Sequence, residues 1–372
     1  MGPGRDESLS SDREALKAEF LASQGLADAR REPLSGDAST RAYERIRPAG
    51  GDPSLIFMDQ PPSAETSPCP PGATDAERRA AGYNALARLA AGRVEAFVAT
   101  AEWLRAQGLS APRIVAHDAA NGLALLEDLG DDLFARLIEG GQDEAPLYDD
   151  AVAALAALHR ASPPQMLEAQ GLSWPLLSYD ALALQTATDI LPEWLPKLRP
   201  QVRLDEAAIA RWDAAWAPIV ARGDATATVF CHRDYHAENL IWLPDREGAA
   251  RVGLLDFQDA VTANPAWDLS MLLHDARRDV SPEREAAALE RYFELRPEAD
   301  RAEVMADFHA LGALNIVRII GIFARLTVRD GKPRYADFLP RLWRYLDRCL
   351  ADPTLGEVKA WFDAHVPVEA RR

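Results

Sequence analysis

Apolar residues recur at helical spacing from Asp12 to Gly25, with Leu16, Phe20 and Leu21 on one face, and predict a first helix after a loose end over residues 1–12. A turn-rich stretch, Pro33 to Thr40, precedes two strand-like runs, Arg41 to Arg47 and Ser54 to Asp59. Gln60 to Gly72 is rich in proline and serine and reads as a loop. Alanine-rich helical patterns cover about 75–91 and 94–107, and a strand pair follows at Pro112–His117 and Gly122–Glu127. Beyond Asp131 the period turns helical: Leu147 to Arg160, Leu182 to Leu198 despite Pro192 and Pro196, and Ala207 to Ala221 with a kink at Pro218. Short apolar runs between Val229 and Leu255 flank a polar loop, and from Pro282 the chain is mostly helical. A strand-rich first third before a helical remainder implies an α+β fold of two lobes with a cleft between them. The expected division is a small β-containing lobe over residues 1–129 and a larger helical lobe over 130–372.

Composition narrows the partners. Of 372 residues 48% are hydrophobic and 27% charged, as in an ordinary globular protein. The formal charge of −17 argues against nucleic acid, which needs a basic face, but not against a nucleotide whose phosphates are bridged by Mg²⁺. Cys69, Cys231 and Cys349 are too few and too scattered for a disulfide framework or a metal cluster. The polar N-terminus lacks the apolar core of a secretory signal, and no window approaches the ~18 consecutive apolar residues of a membrane span. A cytoplasmic protein without a membrane partner is the expectation.

The chemistry concentrates in Cys231-His232-Arg233-Asp234-Tyr235-His236-Ala237-Glu238-Asn239-Leu240 and, after a predicted hairpin, Leu254-Leu255-Asp256-Phe257-Gln258-Asp259. An apolar strand feeds the polar loop, and the apolar runs Leu240–Leu243 and Val252–Leu255 would bring Asn239 and Asp256 together beside Asp234. Mg²⁺-dependent phosphoryl transfer needs such a set: one carboxylate to orient the attacking hydroxyl, an amide and a second carboxylate to hold the cation against phosphate.

The H-x-D-x-x-x-x-N loop followed by D-F-Q-D resembles the catalytic and metal-binding motifs of protein kinases, in the form found in the aminoglycoside phosphotransferase family. That resemblance implies a protein-kinase-like fold using ATP and Mg²⁺. It implies Asp234 as catalytic base, His232 as a brace of the loop by hydrogen bonding, Asn239 and Asp256 as metal ligands, and Asp259 as an aid to the metal or the loop. Trp267-Asp268-Leu269 matches a downstream W-D-L element whose Asp ties down the catalytic loop. Ser35-Gly36-Asp37-Ala38-Ser39-Thr40-Arg41 sits where a phosphate-covering loop would lie, so that Ser39, Thr40 and Arg41 are candidate nucleotide contacts. Leu125-Leu126-Glu127-Asp128-Leu129 resembles the connection between lobes, where the main chain of Glu127 and Leu129 would meet the adenine edge.

One departure stands out. The strand that normally carries a phosphate-gripping lysine reads Met58-Asp59-Gln60-Pro61-Pro62, and no lysine occurs between Lys17 and Lys197. Either another cation, Arg41 foremost, takes its place, or Mg²⁺ and backbone suffice, or the protein binds nucleotide without turnover.

Taken with Leu191-Pro192-Glu193-Trp194 and Gly321-Ile322-Phe323-Ala324-Arg325-Leu326, the same segments resemble the bacterial anomeric kinases that phosphorylate N-acetylmuramate and N-acetylglucosamine at C1 in cell-wall recycling. The resemblance runs from Leu34 to Leu346, with residues 63–92 as an apparent insertion. It implies a monomer acting on a small amino sugar. Candidate sugar contacts are His236 beside the catalytic Asp, Asp180, Glu193 and Trp194 on the pocket wall, and Arg318 and Arg325 from a cluster with Arg329, Lys332 and Arg334. An arginine would suit the lactyl carboxylate of N-acetylmuramate. Aminoglycosides, choline and homoserine are the rival substrates, and a nucleotide-binding regulator without catalysis is the rival of another class.

Overall fold

The computed structural model describes residues 3–34, 41–61 and 68–371; Ser39, Thr40 and the rest of 35–40, like 62–67, lie outside them. Helix α1 (Pro3–Ser23) leads into strands β1 (Arg30–Leu34), β2 (Ala42–Arg47) and β3 (Leu55–Asp59). Helices α2 (Asp75–Ala81), α3 (Tyr83–Leu86) and α4 (Val94–Ala106) follow, then β4 (Ile114–Asp118) and β5 (Leu123–Glu127). The five strands form one antiparallel sheet in the order β1-β2-β3-β5-β4.

The pleat sends alternate side chains to opposite faces. Ile46, Phe57, Leu123 and Leu125 pack under Phe20 and Leu21 of α1. Met58, Ala124 and Leu126 face the other way, into the main core with Phe97 and Val98 of α4. Tyr43 pairs with Met58 across the strands, which puts Arg41, Tyr43, Met58 and Gln60 on this second face. Asp59 points to the first face, where it meets Arg13 at 2.5 Å and Lys17 at 3.5 Å on α1. The acidic residue at the departure therefore lies on the α1 side, away from Arg41.

The second lobe holds α5 (Phe134–Glu139), α6 (Glu144–Arg160), the hairpin β6 (Met166–Ala169) and β7 (Leu172–Pro175), α7 (Ala181–Leu198) and α8 (Glu206–Ala225). Strands β8 (Val229–Cys231), β9 (Leu240–Trp242), β10 (Val252–Leu254) and β11 (Val261–Ala263) form two small antiparallel pairs. Helices α9 (Ala266–Leu273), α10 (Pro282–Leu295), α11 (Arg301–Val328), α12 (Leu339–Cys349) and α13 (Gly356–His365) complete it. Helix α11 is the axis of the core. At Gly321 it runs so close to α7 that an added Cβ would lie 2.7 Å from the Ile190 carbonyl carbon, so only glycine permits this crossing. By length and composition α11 is apolar enough to cross a membrane, which the search for an unbroken apolar run misses; 67% of its most apolar window is buried in the protein.

Between the lobes, Arg45 of β2 reaches Asp128 at 2.6 Å and Asp131 at 2.8 Å, and the Ser54 hydroxyl donates to Asp128 at 2.7 Å. These contacts fix the connection that follows β5.

Most predicted elements are present, with four differences. Helix α1 begins at Pro3, so the expected loose end is shorter. Strand β1 occupies part of the stretch read as turn-rich, because pairing with β2 outweighs the presence of Pro33 at an edge. The helical pattern at 75–91 breaks at Gly82, whose φ of +91° ends α2. The β6–β7 hairpin escaped notice because four-residue strands show little alternation; its turn is Gln170-Gly171, both at positive φ.

Candidate active site

Strand pairing assembles the polar loop. Cys231 of β8 pairs with Val261 of β11, and Leu240 of β9 pairs with Leu254 of β10. The Leu255 amide donates to the Asn239 carbonyl at 2.9 Å, so Asn239 and Asp256 sit at adjacent ends of one hairpin. Below them Asp268, completely buried on α9, accepts the amides of His232 at 2.7 Å and Arg233 at 2.8 Å and the Cys231 thiol at 3.2 Å. Burial alone would raise the Asp268 carboxyl, but the His159 ring, whose Nε2 lies 3.8 Å away, together with the His232 ring and the Cys231 thiol holds it below its ordinary value.

His232 differs from its expected role. Its ring is fully buried, packs edge-on against Tyr235 and Phe257, and finds among the described residues no hydrogen-bond partner of good geometry for either nitrogen. Burial pushes it below the ordinary imidazole value, against the pull of Asp268 and Asp256. The brace is its backbone amide on Asp268 together with ring packing. Arg233 at φ +80° and Asp256 at φ +61° occupy the left-handed region. An aspartate tolerates that region; for an arginine it costs on the order of 1–3 kcal/mol, held in place by the surroundings.

Asp234 is half-buried at the cleft. Its carboxyl is pushed up to about 6, by burial first and then by Asp256, with Arg318 and Arg233 pulling down. The Asn239 amide nitrogen donates to the Asp234 carbonyl at 2.9 Å and lies 3.3 Å from His236 Nε2. That turns Oδ1, the atom a cation would use, away from those partners. Among the described residues no three His, Cys, Asp or Glu side chains close around a point. Asn239 and Asp256 would offer a cation two oxygen donors, an open set of the kind Mg²⁺ completes with phosphate and water. Asp259 accepts the Ala90 amide on Oδ1 at 2.6 Å, so half of its carboxylate is already spent on the inserted segment.

Arg41 lies on the same sheet face as Met58, whose strand is the one where a lysine was expected. Its guanidinium donates to Gln60 at 3.0 Å, Tyr43 at 3.1 Å and Gln258 at 3.0 Å, and lies 3.4 Å from Asp256. Gln258 also donates to Asp256 at 2.8 Å, which ties the sheet to the metal-binding loop. At the lobe connection the Glu127 amide donates to the Arg113 carbonyl at 2.9 Å, and its side chain pairs with Arg246 at 2.7 Å. The Glu127 amide is therefore spent, and the Glu127 carbonyl and the main chain of Leu129 are left as the candidate contacts for a base.

The candidate sugar contacts divide. His236 is buried beside Asn239 with Nδ1 unpartnered, and burial, with Arg277, His232 and Arg318 adding, pushes it well below its ordinary value. Arg318 is 9% exposed, stacks at 5.4 Å over Trp267, and donates to Asn315 at 3.0 Å; no carboxylate among the described residues pairs with it. Arg325, two turns along α11, lies 4.8 Å over the ring of Tyr83. Asp180 is already engaged by other side chains. It caps α7 and receives four bonds: Arg78 at 2.6 and 3.0 Å, Arg88 at 2.6 Å and the Ala183 amide at 3.0 Å. A carboxylate has about four lone-pair sites, so none remains for a sugar hydroxyl. Glu193 and Trp194 both engage Lys197 on their own helix, at 3.3 and 3.8 Å. Arg329 pairs with Asp330 at 2.6 Å. Sequence reasoning missed Tyr83, Arg78 and Arg88, since nothing in an alanine-rich helical pattern marks which of its side chains reach the cleft.

Comparison with known proteins places these features in a family. The model of the "phosphotransferase enzyme family" matches residues 30–306. A Caulobacter vibrioides protein named N-acetylmuramate/N-acetylglucosamine kinase is 70% identical over 364 residues, covering 98% of this chain and 99% of its own. A Pseudomonas aeruginosa protein of the same name is 32% identical over 335 residues, covering 88% and 86%. Among solved structures, a choline/ethanolamine kinase family protein from Mesorhizobium loti aligns with a TM-score of 0.55 at 15% identity, over 94% of this chain and 98% of its own. Choline kinase from Streptococcus pneumoniae aligns with a TM-score of 0.53 at 15% identity, over 92% and 98%. These likenesses give the fold as kinase-like.

Proposed function

This chain belongs to the phosphotransferase enzyme family, and from that premise we propose that it transfers the γ-phosphoryl group of ATP to the C1 hydroxyl of N-acetylmuramate and N-acetylglucosamine. The observation that carries the substrate is the 70% identity, across nearly the whole of both chains, to the C. vibrioides kinase of that name.

Asp234 orients the anomeric hydroxyl and takes its proton as the oxygen attacks the γ-phosphorus. An anomeric hydroxyl is more acidic than other sugar hydroxyls, so orientation does more than proton affinity. The new C1–O–P bond forms as the bond to the β-phosphate oxygen breaks, and ADP leaves. Asn239 and Asp256 are the residues that would hold Mg²⁺, which when bound would neutralise charge on the phosphate oxygens. Arg41, tied to Asp256 through Gln258, grips the phosphates in place of the lysine. Asp259 positions the metal-binding loop. The same reading makes the protein a cytoplasmic monomer of peptidoglycan recycling.

Product formation from Mg²⁺-ATP over N-acetylmuramate, N-acetylglucosamine, glucose, kanamycin and choline tests it. Phosphate on C1 of an N-acetylated sugar is expected; turnover of kanamycin or choline alone would overturn the substrate. Arg41→Met should raise KM for ATP about tenfold, the loss of a charge-assisted contact; an unchanged KM would assign phosphate binding elsewhere. Arg318, buried and without a carboxylate partner among the described residues, is the arginine we assign to the lactyl carboxylate. Arg318→Met should cut kcat/KM for N-acetylmuramate about tenfold or more relative to N-acetylglucosamine. Equal losses on both sugars would make Arg318 a support of Asp234 instead.

A further inference from the structure

Segment 74–92 begins with a capping box in which Thr74 and Glu77 bond each other's backbone and side chain at the start of α2. Its Arg78 is 1% exposed and donates to the carbonyls of Ala85 and Leu86 at 3.3 and 2.9 Å while gripping Asp180. Arg88, at φ +57°, reaches the same carboxylate. So one aspartate at the N-cap of α7 gathers two arginines from the segment and holds its coil in shape.

That coil makes three hydrogen bonds to residues beside the catalytic loop and one close backbone approach. Arg233 donates to the Ala87 carbonyl at 2.7 Å and to the Arg88 carbonyl at 3.2 Å. The Ala90 amide donates to Asp259 at 2.6 Å. At Gly92 the backbone passes so close to Gln60, the partner of Arg41, that an added Cβ would lie 2.9 Å from its amide nitrogen. Arg233 and Asp259 flank the base and the metal loop, and Arg233 is the residue whose backbone is held at +80°. A strained loop keeps its form only if its surroundings over-determine it, and here segment 83–92 supplies part of that support.

We propose that this segment is a strut that sets the catalytic and metal-binding loops in register, with Asp180, Arg78 and Arg88 as positioning residues acting through Arg233 and Asp259. The kinetic part rests on the phosphotransfer reading; the structural part does not.

Asp180→Asn tests it, because asparagine caps a helix as well as aspartate does, while the charge that gathers Arg78 and Arg88 is lost. Amide hydrogen exchange over residues 231–239 should quicken about tenfold, and kcat should fall about tenfold with KM for the sugar within about twofold. Asp180→Glu should recover part of the kcat. Exchange that quickens in 74–92 alone would overturn the strut, and a loss seen in sugar KM with kcat intact would make Asp180 a substrate contact. If Asp180→Asn does not fold, Arg88→Gln, which leaves the cap untouched, is read the same way. Should the wild type phosphorylate no sugar, the exchange result still decides for or against the strut, and the substrate reading alone is lost.

Discussion

Asp234→Ala is expected to lower kcat about a thousandfold while KM for ATP stays within about threefold. The carboxylate is placed to meet the acceptor hydroxyl, whereas ATP is held by Mg²⁺, Arg41 and the lobe connection, so truncation should act on turnover. The pH profile gives an independent check. Burial, then the charges of Asp256 and Asp259, raise the carboxyl to about 6 against Arg318 and Arg233. The deprotonated form accepts the proton, so activity should fall as pH drops through about 6, roughly tenfold per unit below it. Mg²⁺ beside Asp256 would draw that limb lower, never higher. A variant keeping more than about a tenth of the turnover, or an acid limb above about 7, would assign the base elsewhere.

The second large effect concerns stability. Asp268→Ala should cost about 3–5 kcal/mol, because it removes a buried charge that satisfies two loop amides, leaving both without a partner. Asp268→Asn should cost less, since one oxygen acceptor remains. Urea unfolding at pH 7 measures both, and a loss under about 1 kcal/mol for the alanine variant would show that the amides find other partners. Since the folded carboxyl lies below its ordinary value, its contribution is present above about pH 4 and disappears as pH falls through the folded pKa. The wild type should therefore lose stability in acid by more than the Asp268→Ala variant does.

Helices and strands were legible where the period was long. The apolar stripe of α6 at helical spacing and the short continuous apolar runs of β3 and β5, a sheet covered on both faces, left little choice. The division of 75–91 was not legible, since Gly82 ends α2 through a backbone angle that an alanine-rich pattern does not display. Prolines 192 and 196 sit inside α7 against local preference, held by its packing on α11 at Gly321.

The spacing of His232, Asp234, Asn239 and Asp256 around a short hairpin is a covalent fact, and it marked the candidate site without coordinates. Local pairing did the rest: once β9 and β10 zip, Asn239 and Asp256 have to meet. Where the candidate substitute for the lysine lies was decided by tertiary structure, because only the β2–β3 register puts Arg41 on the same face as Met58 and sends Asp59 to α1. The fate of Asp180 was decided the same way. A carboxylate in sequence is a ligand for anything, and only the fold shows Arg78 and Arg88 arriving from 102 and 92 residues away to occupy it. Sequence determined the chemistry available within short loops; contacts between distant segments determined which of those side chains remain available to use it.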